Sequence, residues 1–391
     1  MNTIAESAPA QALNDDVLPD NLGADVWLIG VVLALMTFGL VMVYSATVAS
    51  GDKTLAFNFI PLTNHLVHIL MGILLMVALR YSPMRWWEHA GKPLLLVALL
   101  SLAIVLLPGI GANVNGSTRW IAFGGLRLQP AELTKVLMVV YVAGYLVRKR
   151  KELGRFSQGI MMVGLVLAAL STLLLLQPDF GSVVVIAVVV MSMLFLGGVR
   201  FWHFLLCVIT ACALFAALVW IEPYRMQRVM SFTNPWSDPF DSGFQLVQAL
   251  IAFGRGEWLG VGLGASIQKL YYLPHASNDF LLAVVAEELG LVGVGSVVVL
   301  FAILLWRTFV IARRAEKLGM FYAARLAEGL GLLLVVQAMI NMGVNMGLLP
   351  TKGLTLPLMS YGGSSMLATS FALGLLFAVD RSTQLQQGAR R

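Results

Sequence analysis

Residues 345–365 read NMGLLPTKGLTLPLMSYGGSS, and this stretch decides how the chain must fold. Two prolines and a pair of glycines interrupt apolar sequence, and one cation, Lys352, lies among them. Proline removes a backbone donor and glycine permits a positive φ, so a regular helix through the whole stretch is not expected. Within a hydrocarbon layer such backbone is tolerated only where protein buries it or where it lines a wet cavity. The stretch therefore predicts a polar, irregular pocket at a membrane face, which is typical of a ligand site.

The composition of the chain indicates a membrane protein. Of its 391 residues, 59% are hydrophobic and 12% are charged, whereas a soluble domain is roughly 25% charged. Apolar runs of about twenty residues, the length that crosses a bilayer, recur along the sequence. The predicted fold class is an all-α, polytopic integral membrane protein, and soluble folds are excluded. The net charge of +6 therefore does not indicate nucleic-acid binding. The two cysteines, Cys207 and Cys212, form no disulfide framework or metal-binding pattern.

Ten transmembrane helices are predicted, and the charges between them set the orientation. The spans are about 26–48, 64–80, 93–108, 129–147, 158–176, 182–198, 204–221, 280–304, 326–347 and 362–379. With the N-terminus inside, the inner loops hold most of the Lys and Arg, as the positive-inside rule requires. Both termini are then cytoplasmic, and a large insert at about 222–279 faces outward. We expect a disordered acidic tail at 1–25, a membrane domain at 26–379 and a cytoplasmic tail at 380–391.

Charged residues on the predicted outer face begin with the segment 113–135. It contains Arg119 and, at the start of the fourth span, Glu132 and Lys135. Residues three apart share a helix face, so the carboxylate and the ammonium can pair. The pair either neutralises itself near the surface or contributes to a site, and the spacing does not decide between the two. The acid in QPDFGS, Asp179, is better explained as the N-cap of the sixth span.

The outer insert ends in PHASNDFLLAVVAEELG, where the eighth span begins. Spacing alone slightly favours Asp279 as a helix N-cap, but the alternative is a partly desolvated carboxylate that points into the pocket and acts as a base. The glycine-rich GRGEWLGVGLG segment follows no strand, so close-packed or re-entrant backbone explains it better than a nucleotide cradle. The stretch 345–365 is called the closing segment, and its Ser360 and Ser364 add hydroxyl groups to the same face.

These groups together indicate the chemistry of a ligand. Arginine and lysine suit phosphate oxygens, and the surrounding lipid suits a long apolar tail. The residues alone therefore predict an amphiphilic, anionic substrate and do not name it.

Several motifs in the same order resemble the SEDS family of cell-wall proteins. They are RWI…LQPAELTK, QPDFGS, NPWSDPFDSGFQLVQALIAFGRGEWLGVGLG, LPHASNDFLLAVVAEELG and the closing segment quoted above. The resemblance covers nearly the whole chain after the N-terminal tail, and the PTKGLTLP and FGRGEW versions are most similar to the cell-division branch. It implies a peptidoglycan glycosyltransferase that polymerises lipid II at the outer face of the bacterial cytoplasmic (inner) membrane, at the division septum.

The resemblance also implies roles for individual residues and partners. Asp279 matches the family's essential aspartate, Glu132 and Lys135 match its carboxylate–lysine pair, and Lys352 matches the lysine of the cell-division branch. With Arg119 and Ser360, these residues form the predicted substrate site. The expected partners are lipid II, glycan linked to undecaprenyl pyrophosphate, a class B penicillin-binding protein acting as septal transpeptidase, and other division proteins. No cofactor is required by the pattern, although Asp279 with Glu132 could hold a divalent cation.

Two other function classes fit a polytopic fold. A lipid II flippase needs a polar route across the bilayer, and five residues midway along the predicted spans keep that option open: Glu287, Glu288, Gln337, Asn341 and Asn345. Hydrogen bonding between helices explains them equally simply, and we favour it. A noncatalytic division scaffold also fits, but it gives Asp279 and Lys352 no role.

Overall fold

The computed structural model describes residues 25–48, 60–109, 111–114, 117–123, 126–221, 223–241, 243–270, 272–274, 276–351 and 353–390. The acidic tail before Asp25 and the predicted site residue Lys352 lie outside the described residues.

Helices dominate the described chain. They are α1 (Val26–Val48), α2 (Ile60–Arg80), α3 (Met84–Val105), α4 (Pro130–Arg148), α5 (Met161–Leu176), α6 (Phe180–Leu196), α7 (Phe201–Ile221), α8 (Pro223–Thr233), α9 (Phe244–Gly256), α10 (Leu281–Lys317), α11 (Phe321–Asn345) and α12 (Gly363–Gly388). Each of the ten predicted spans coincides with one of these helices. Among the described residues, eight helices are long and apolar enough to cross a membrane, and α5 and α6 are shorter apolar helices. The predicted helical, polytopic class is therefore confirmed, whereas the number of crossings stays a prediction.

The helices differ in how much of their surface the protein covers. Most of α4, α11 and α12 is buried inside the bundle, whereas α7 has no buried residue. A helix that is apolar all round and uncovered by protein is matched to lipid. Side chains on α4, α11 and α12 therefore lie in the centre of the molecule, where a site can be shielded from lipid.

A small β-sheet, which was not predicted from the sequence, precedes α4. It contains β1 (Gly111–Val114), β2 (Ser117–Phe123) and β3 (Leu126–Leu128), which pair antiparallel in the order β1-β2-β3. β-Branched and aromatic residues such as Thr118, Trp120 and Ile121 favour a strand here. The described strands thus form a meander that holds Arg119 in β2.

The helix α10 is broken at Gly290, where φ is 64° and ψ is −161°. The break exposes backbone groups, and the segment after α9 binds them through four hydrogen bonds. Val261 N–H donates to Glu287 O at 3.0 Å, Gly262 N–H to Glu288 O at 3.0 Å, Leu291 N–H to Glu257 O at 2.9 Å, and Val292 N–H to Trp258 O at 3.1 Å. A side chain on Gly256 would collide with Ala286 O, and one on Gly260 with Glu288 O. The glycines of the GRGEWLGVGLG segment therefore permit close packing of two backbones, as predicted.

Two ion pairs also hold the 222–279 insert to α10. Glu287 accepts from Arg255 Nη1 at 2.8 Å and from the Ile267 N–H at 3.0 Å. Glu288 accepts from Lys269 Nζ at 2.7 Å, and Ser45 on α1 donates to the same carboxylate at 2.7 Å. Both glutamates are fully buried, so these bonds offset the cost of removing their charges from water.

At the opposite end of the bundle, Asp25 joins three helices. Its carboxylate accepts the Leu28 N–H at 3.0 Å, which caps α1, and it also pairs with Arg307 of α10. Its own N–H donates to Asp380 of α12 at 2.9 Å. The residue predicted to end the acidic tail therefore belongs to the folded bundle.

Candidate active site

The first part of the site is a buried ion pair at the start of α4. Lys135 Nζ lies 2.7 Å from Glu132 Oε1, and the two side chains are 2% and 10% exposed. The same ammonium donates to Gln337 Oε1 on α11 at 2.6 Å. The i, i+3 spacing predicted the pair, and Pro130 begins the helix, where its missing N–H costs no hydrogen bond. A neutral amide in the same contact supplies a second acceptor, which a buried ammonium needs.

Gln337 extends this pair toward the closing segment. Its Nε2 donates to Thr355 O at 3.1 Å, and the Thr355 hydroxyl donates to Ser365 Oγ at 2.6 Å. Ser364 Oγ accepts the Gln129 N–H at 3.0 Å, next to the start of α4. The start of α4, the C-terminal half of α11 and the start of α12 are therefore joined through Thr355, Ser364 and Ser365.

Asp279 lies directly before α10 and is partly exposed. The cap position of α10 is Phe280, so Asp279 does not occupy the N-cap that spacing slightly favoured. The Ala283 N–H of the first turn is bonded by Asn345 Oδ1 at 3.2 Å and by Phe280 O at 3.0 Å. The Asp279 carboxylate is turned toward the closing segment, because its Oδ2 lies 3.3 Å from the point that a Cβ on Gly353 would occupy.

Two asparagines of α11 hold the backbone at Asp279. Asn341 Nδ2 donates to Asp279 O at 2.8 Å, and Asn345 Nδ2 donates to the same carbonyl at 2.9 Å. From the sequence, both were interpreted as midway polar residues that bond between helices, without a role in the site. Only the fold brings residues more than sixty positions apart into contact, so the sole sequence signal was their polarity in an apolar span.

Ser360 is buried, and its Oγ accepts the Leu356 N–H at 2.9 Å. This bond closes the turn before Tyr361, whose N–H donates to Ser277 O at 2.9 Å, two residues before Asp279. The hydroxyl thus shapes the closing segment, and its predicted contact with substrate stays a prediction.

Arg119 of β2 reaches the turn between α5 and α6. Its Nε donates to Gln177 O at 2.8 Å and its Nη2 to Pro178 O at 2.5 Å. Asp179 caps α6, as the sequence analysis favoured, by accepting the Ser182 N–H at 3.2 Å. Gln129 Nε2 lies 3.5 Å from Asp179 Oδ2 and connects this turn to the start of α4. Arg119 therefore borders the same end of the bundle as the Glu132–Lys135 pair.

A divalent cation has limited support here. Among the residues that the structure describes, no group of three or more His, Cys, Asp or Glu side chains could hold a metal ion. Glu132 is bonded to Lys135, so a cation shared with Asp279 would have to compete with an ammonium. The predicted cation stays a prediction.

Comparison with known proteins gives a consistent result. Residues 26–385 match the family model of FtsW/RodA/SpoVE cell cycle proteins. The probable peptidoglycan glycosyltransferase FtsW of Nitrosococcus halophilus is 52% identical over 367 residues, which cover 94% of this chain and 95% of the relative. The corresponding protein of Thioalkalivibrio sulfidiphilus is 50% identical and covers 90% of this chain and 88% of its own length.

Solved structures show the same similarity in three dimensions. A chain from a peptidoglycan synthase complex that coordinates polymerization and crosslinking has a TM-score of 0.77 and 30% identity, over 93% of this chain and 99% of its own. The rod shape determining protein RodA of Thermus thermophilus has a TM-score of 0.67 and 28% identity, over 93% of this chain and 99% of its own.

Proposed function

The chain belongs to the FtsW/RodA/SpoVE family of cell cycle proteins, the SEDS family, and from this premise we propose how it works as a peptidoglycan glycosyltransferase in cell division. It polymerises lipid II into β-1,4 glycan strands at the outer face of the cytoplasmic membrane during septal synthesis. The observation that supports this site most strongly is the Asp279 carboxylate, which is turned toward Gly353 while α11 joins its backbone to the Glu132–Lys135 pair.

Asp279 is the general base of the proposed reaction. It takes the proton from the 4-hydroxyl of the N-acetylglucosamine on the acceptor lipid II. That oxygen forms a bond to C1 of the N-acetylmuramic acid on the growing glycan, and the bond from C1 to undecaprenyl pyrophosphate breaks with inversion. General-base catalysis of this kind contributes about 10²- to 10⁴-fold to a rate.

The cations stabilise the charge that grows on the leaving pyrophosphate. Two of the three hydrogens of the Lys135 ammonium are donated to Glu132 and Gln337, so the third can donate to a ligand oxygen. Arg119 uses its Nε and one Nη2 hydrogen on the 177–178 turn, which holds its guanidinium rigidly for further donation. Lys352 is the third proposed cation. Groups fixed before reaction need no reorganisation in the transition state, which is why preorganised donors are effective.

The proposed surroundings follow from the same function. Ten spans with both termini cytoplasmic direct the 222–279 insert and Asp279 outward, where lipid II is used. A class B penicillin-binding protein that crosslinks the new strands is the proposed partner at the septum, by analogy with the polymerising and crosslinking complex of the structural relative.

The five polar residues that kept a lipid II flippase open as an alternative are bonded within the protein. Glu287 and Glu288 bind the outer insert, and three amides of α11 bond backbone or Lys135. Side chains committed to internal bonds do not form a polar route for a headgroup.

A reconstitution with labelled lipid II tests the proposal. Wild type, Asp279→Asn and Asp241→Asn are compared with the partner transpeptidase present, its own active site blocked and other polymerases absent. Asp241 is an exposed acid of the same insert, so it is the matched control. We expect glycan strands from wild type and Asp241→Asn, and at least about 100-fold fewer from Asp279→Asn. Full activity of folded Asp279→Asn would refute the base assignment, and no strands from folded, partner-bound wild type would refute the proposed function.

A further inference from the structure

We infer that Asn341 is a positioning residue that holds the Asp279 segment against the segment 353–356. An asparagine amide nitrogen carries two hydrogens, and here they go to carbonyls on two different segments. Asn341 Nδ2 lies 2.8 Å from Asp279 O and 2.5 Å from Leu354 O. The side chain is 2% exposed, so water does not compete for these bonds. The inference rests on the proposed function, because it assigns Asn341 a role in the same reaction.

Asn345 reinforces the link from one helical turn further along α11. Its Nδ2 donates to Asp279 O at 2.9 Å and to Asn341 O at 2.9 Å, while its Oδ1 accepts the Ala283 N–H at 3.2 Å. The Asp279 carbonyl therefore receives two amide donors, which matches its two lone pairs. The first turn of α10 is bound to the same side chain, so the base is fixed from both sides.

Gln337 lies on α11 one helical turn before Asn341, and it bonds a further part of the site. Residues at i, i+4 and i+8 lie on one face of a helix, and we call Gln337, Asn341 and Asn345 the amide ladder. Gln337 holds Lys135 and Thr355, Asn341 holds Leu354 and Asp279, and Asn345 holds Asp279 and Ala283. One rigid helix face thus sets the distance between the proposed base, the closing segment and a proposed cation.

A positioning role and a purely structural role have different consequences. A misplacement of about 1 Å between reacting groups can cost on the order of 10²-fold in rate. Loss of positioning therefore lowers kcat while the binding of substrate, measured by KM, changes little. A general loss of fold would instead lower the amount of active protein and the thermal midpoint without a specific effect on kcat.

The first test measures the geometry without activity. In a chain carrying Cys207→Ala and Cys212→Ala, the pair Asp279→Cys and Gly353→Cys is oxidised with copper phenanthroline. The Asp279 carboxylate and a Cβ at position 353 approach within 3.3 Å, so a crosslink is expected. Asn341→Leu should slow its formation at least about fivefold, whereas Met342→Leu, the buried neighbour on the same helix, should not.

The second test measures kinetics with Asp279 and Gly353 intact. Asn341→Leu should lower kcat for lipid II polymerisation about 10- to 100-fold, with KM within about threefold of wild type. Met342→Leu should retain wild-type values and serves as the control for a leucine at this depth.

An unchanged crosslinking rate in Asn341→Leu would overturn the inference, whatever the activity. A slower crosslink with unchanged kcat would also overturn it, because positioning would then be irrelevant to reaction. An inactive wild type refutes the proposed function instead, while the crosslinking comparison still decides whether Asn341 joins the two segments.

Discussion

At the scale of single residues, Lys135 shows why buried polar groups in this protein occur in sets. Its ammonium is almost completely buried and is balanced by the Glu132 carboxylate and by the Gln337 amide oxygen. Removing a charge from water costs several kcal/mol, and only close, well-directed partners offset that cost. Loss of Lys135 therefore leaves the buried Glu132 carboxylate without its cation.

We therefore predict that Lys135→Met destabilises the protein more than the double variant Glu132→Gln/Lys135→Met. The single change leaves a buried carboxylate without its cation, at a cost of about 3–5 kcal/mol, and the double change removes that charge as well. Thermal midpoints in detergent measure the difference. The control is Lys149→Met, which breaks the half-exposed Lys149–Glu152 pair of the same i, i+3 spacing and should change the midpoint little. Equal midpoints for the single and double variants would contradict the prediction.

Sequence reasoning succeeded where partners are close in the chain. Spacing alone indicated the Glu132–Lys135 pair and the Asp179 cap, because a helix fixes which neighbours share a face. It missed the ladder, because Gln337 and Lys135 are 202 positions apart. A polar residue in an apolar span indicates that it has a partner, but only packing reveals which one.

At the scale of elements, the break in α10 replaces hydrogen bonds within the helix by hydrogen bonds to the segment after α9. The turn of helix lost at Gly290 is replaced by four bonds to the chain after α9. Inside a membrane protein such an exchange is what allows a helix to be interrupted, since no backbone group can remain unbonded in lipid. The break also directs Glu287 and Glu288 toward the insert, which they hold with Arg255 and Lys269.

Gly290→Ala should disrupt this exchange. Its φ of 64° with ψ of −161° is accessible essentially only to glycine, and a Cβ there would lie 2.5 Å from Gly260 N. We expect a loss of at least about 1–3 kcal/mol from backbone strain alone, and faster proteolysis of the insert. Gly295→Ala is the matched control, because a Cβ at that position of the same helix meets nothing within 4 Å. It should be neutral or gain up to about 1 kcal/mol. Equal proteolysis of the two variants would contradict the role of the break.

The elements that the sequence did not predict share one property. The strands of the β1–β3 meander have seven residues or fewer, and α8 and α9 have 11 and 13, so each is shorter than a helix that crosses a bilayer. Hydropathy identifies segments matched to a bilayer, so it locates the apolar helices and gives little information about shorter elements between them. Helix boundaries also differed: α3 begins at Met84 rather than near 93, because Arg85, Glu88 and Lys92 lowered its apparent hydropathy.

At the scale of the whole molecule, the proposed orientation of the bundle places the proposed site on the side where lipid II would be used. Asp279, Glu132, Arg119 and the closing segment lie at one end, and Asp25 joins α1, α10 and α12 at the other. The basic 148–155 loop follows α4 at the end opposite Glu132. The positive-inside rule assigns such a loop to the cytoplasm, which directs the site outward.

Labelling of single cysteines tests this orientation in cells. In a background with Cys207→Ala and Cys212→Ala, spheroplasts carrying Phe240→Cys, Lys151→Cys or Gln387→Cys are treated with a membrane-impermeant maleimide. All three positions are exposed, and Phe240 is 90% exposed in the insert. Phe240→Cys should react in intact spheroplasts, and the other two should react only after permeabilisation, because ten crossings return the C-terminus to the side of the N-terminus.

Labelling of Gln387→Cys in intact spheroplasts would require an odd number of crossings if the N-terminus is cytoplasmic. Labelling of Phe240→Cys only after permeabilisation would put the insert inside, on the wrong side for polymerising lipid II at the outer face.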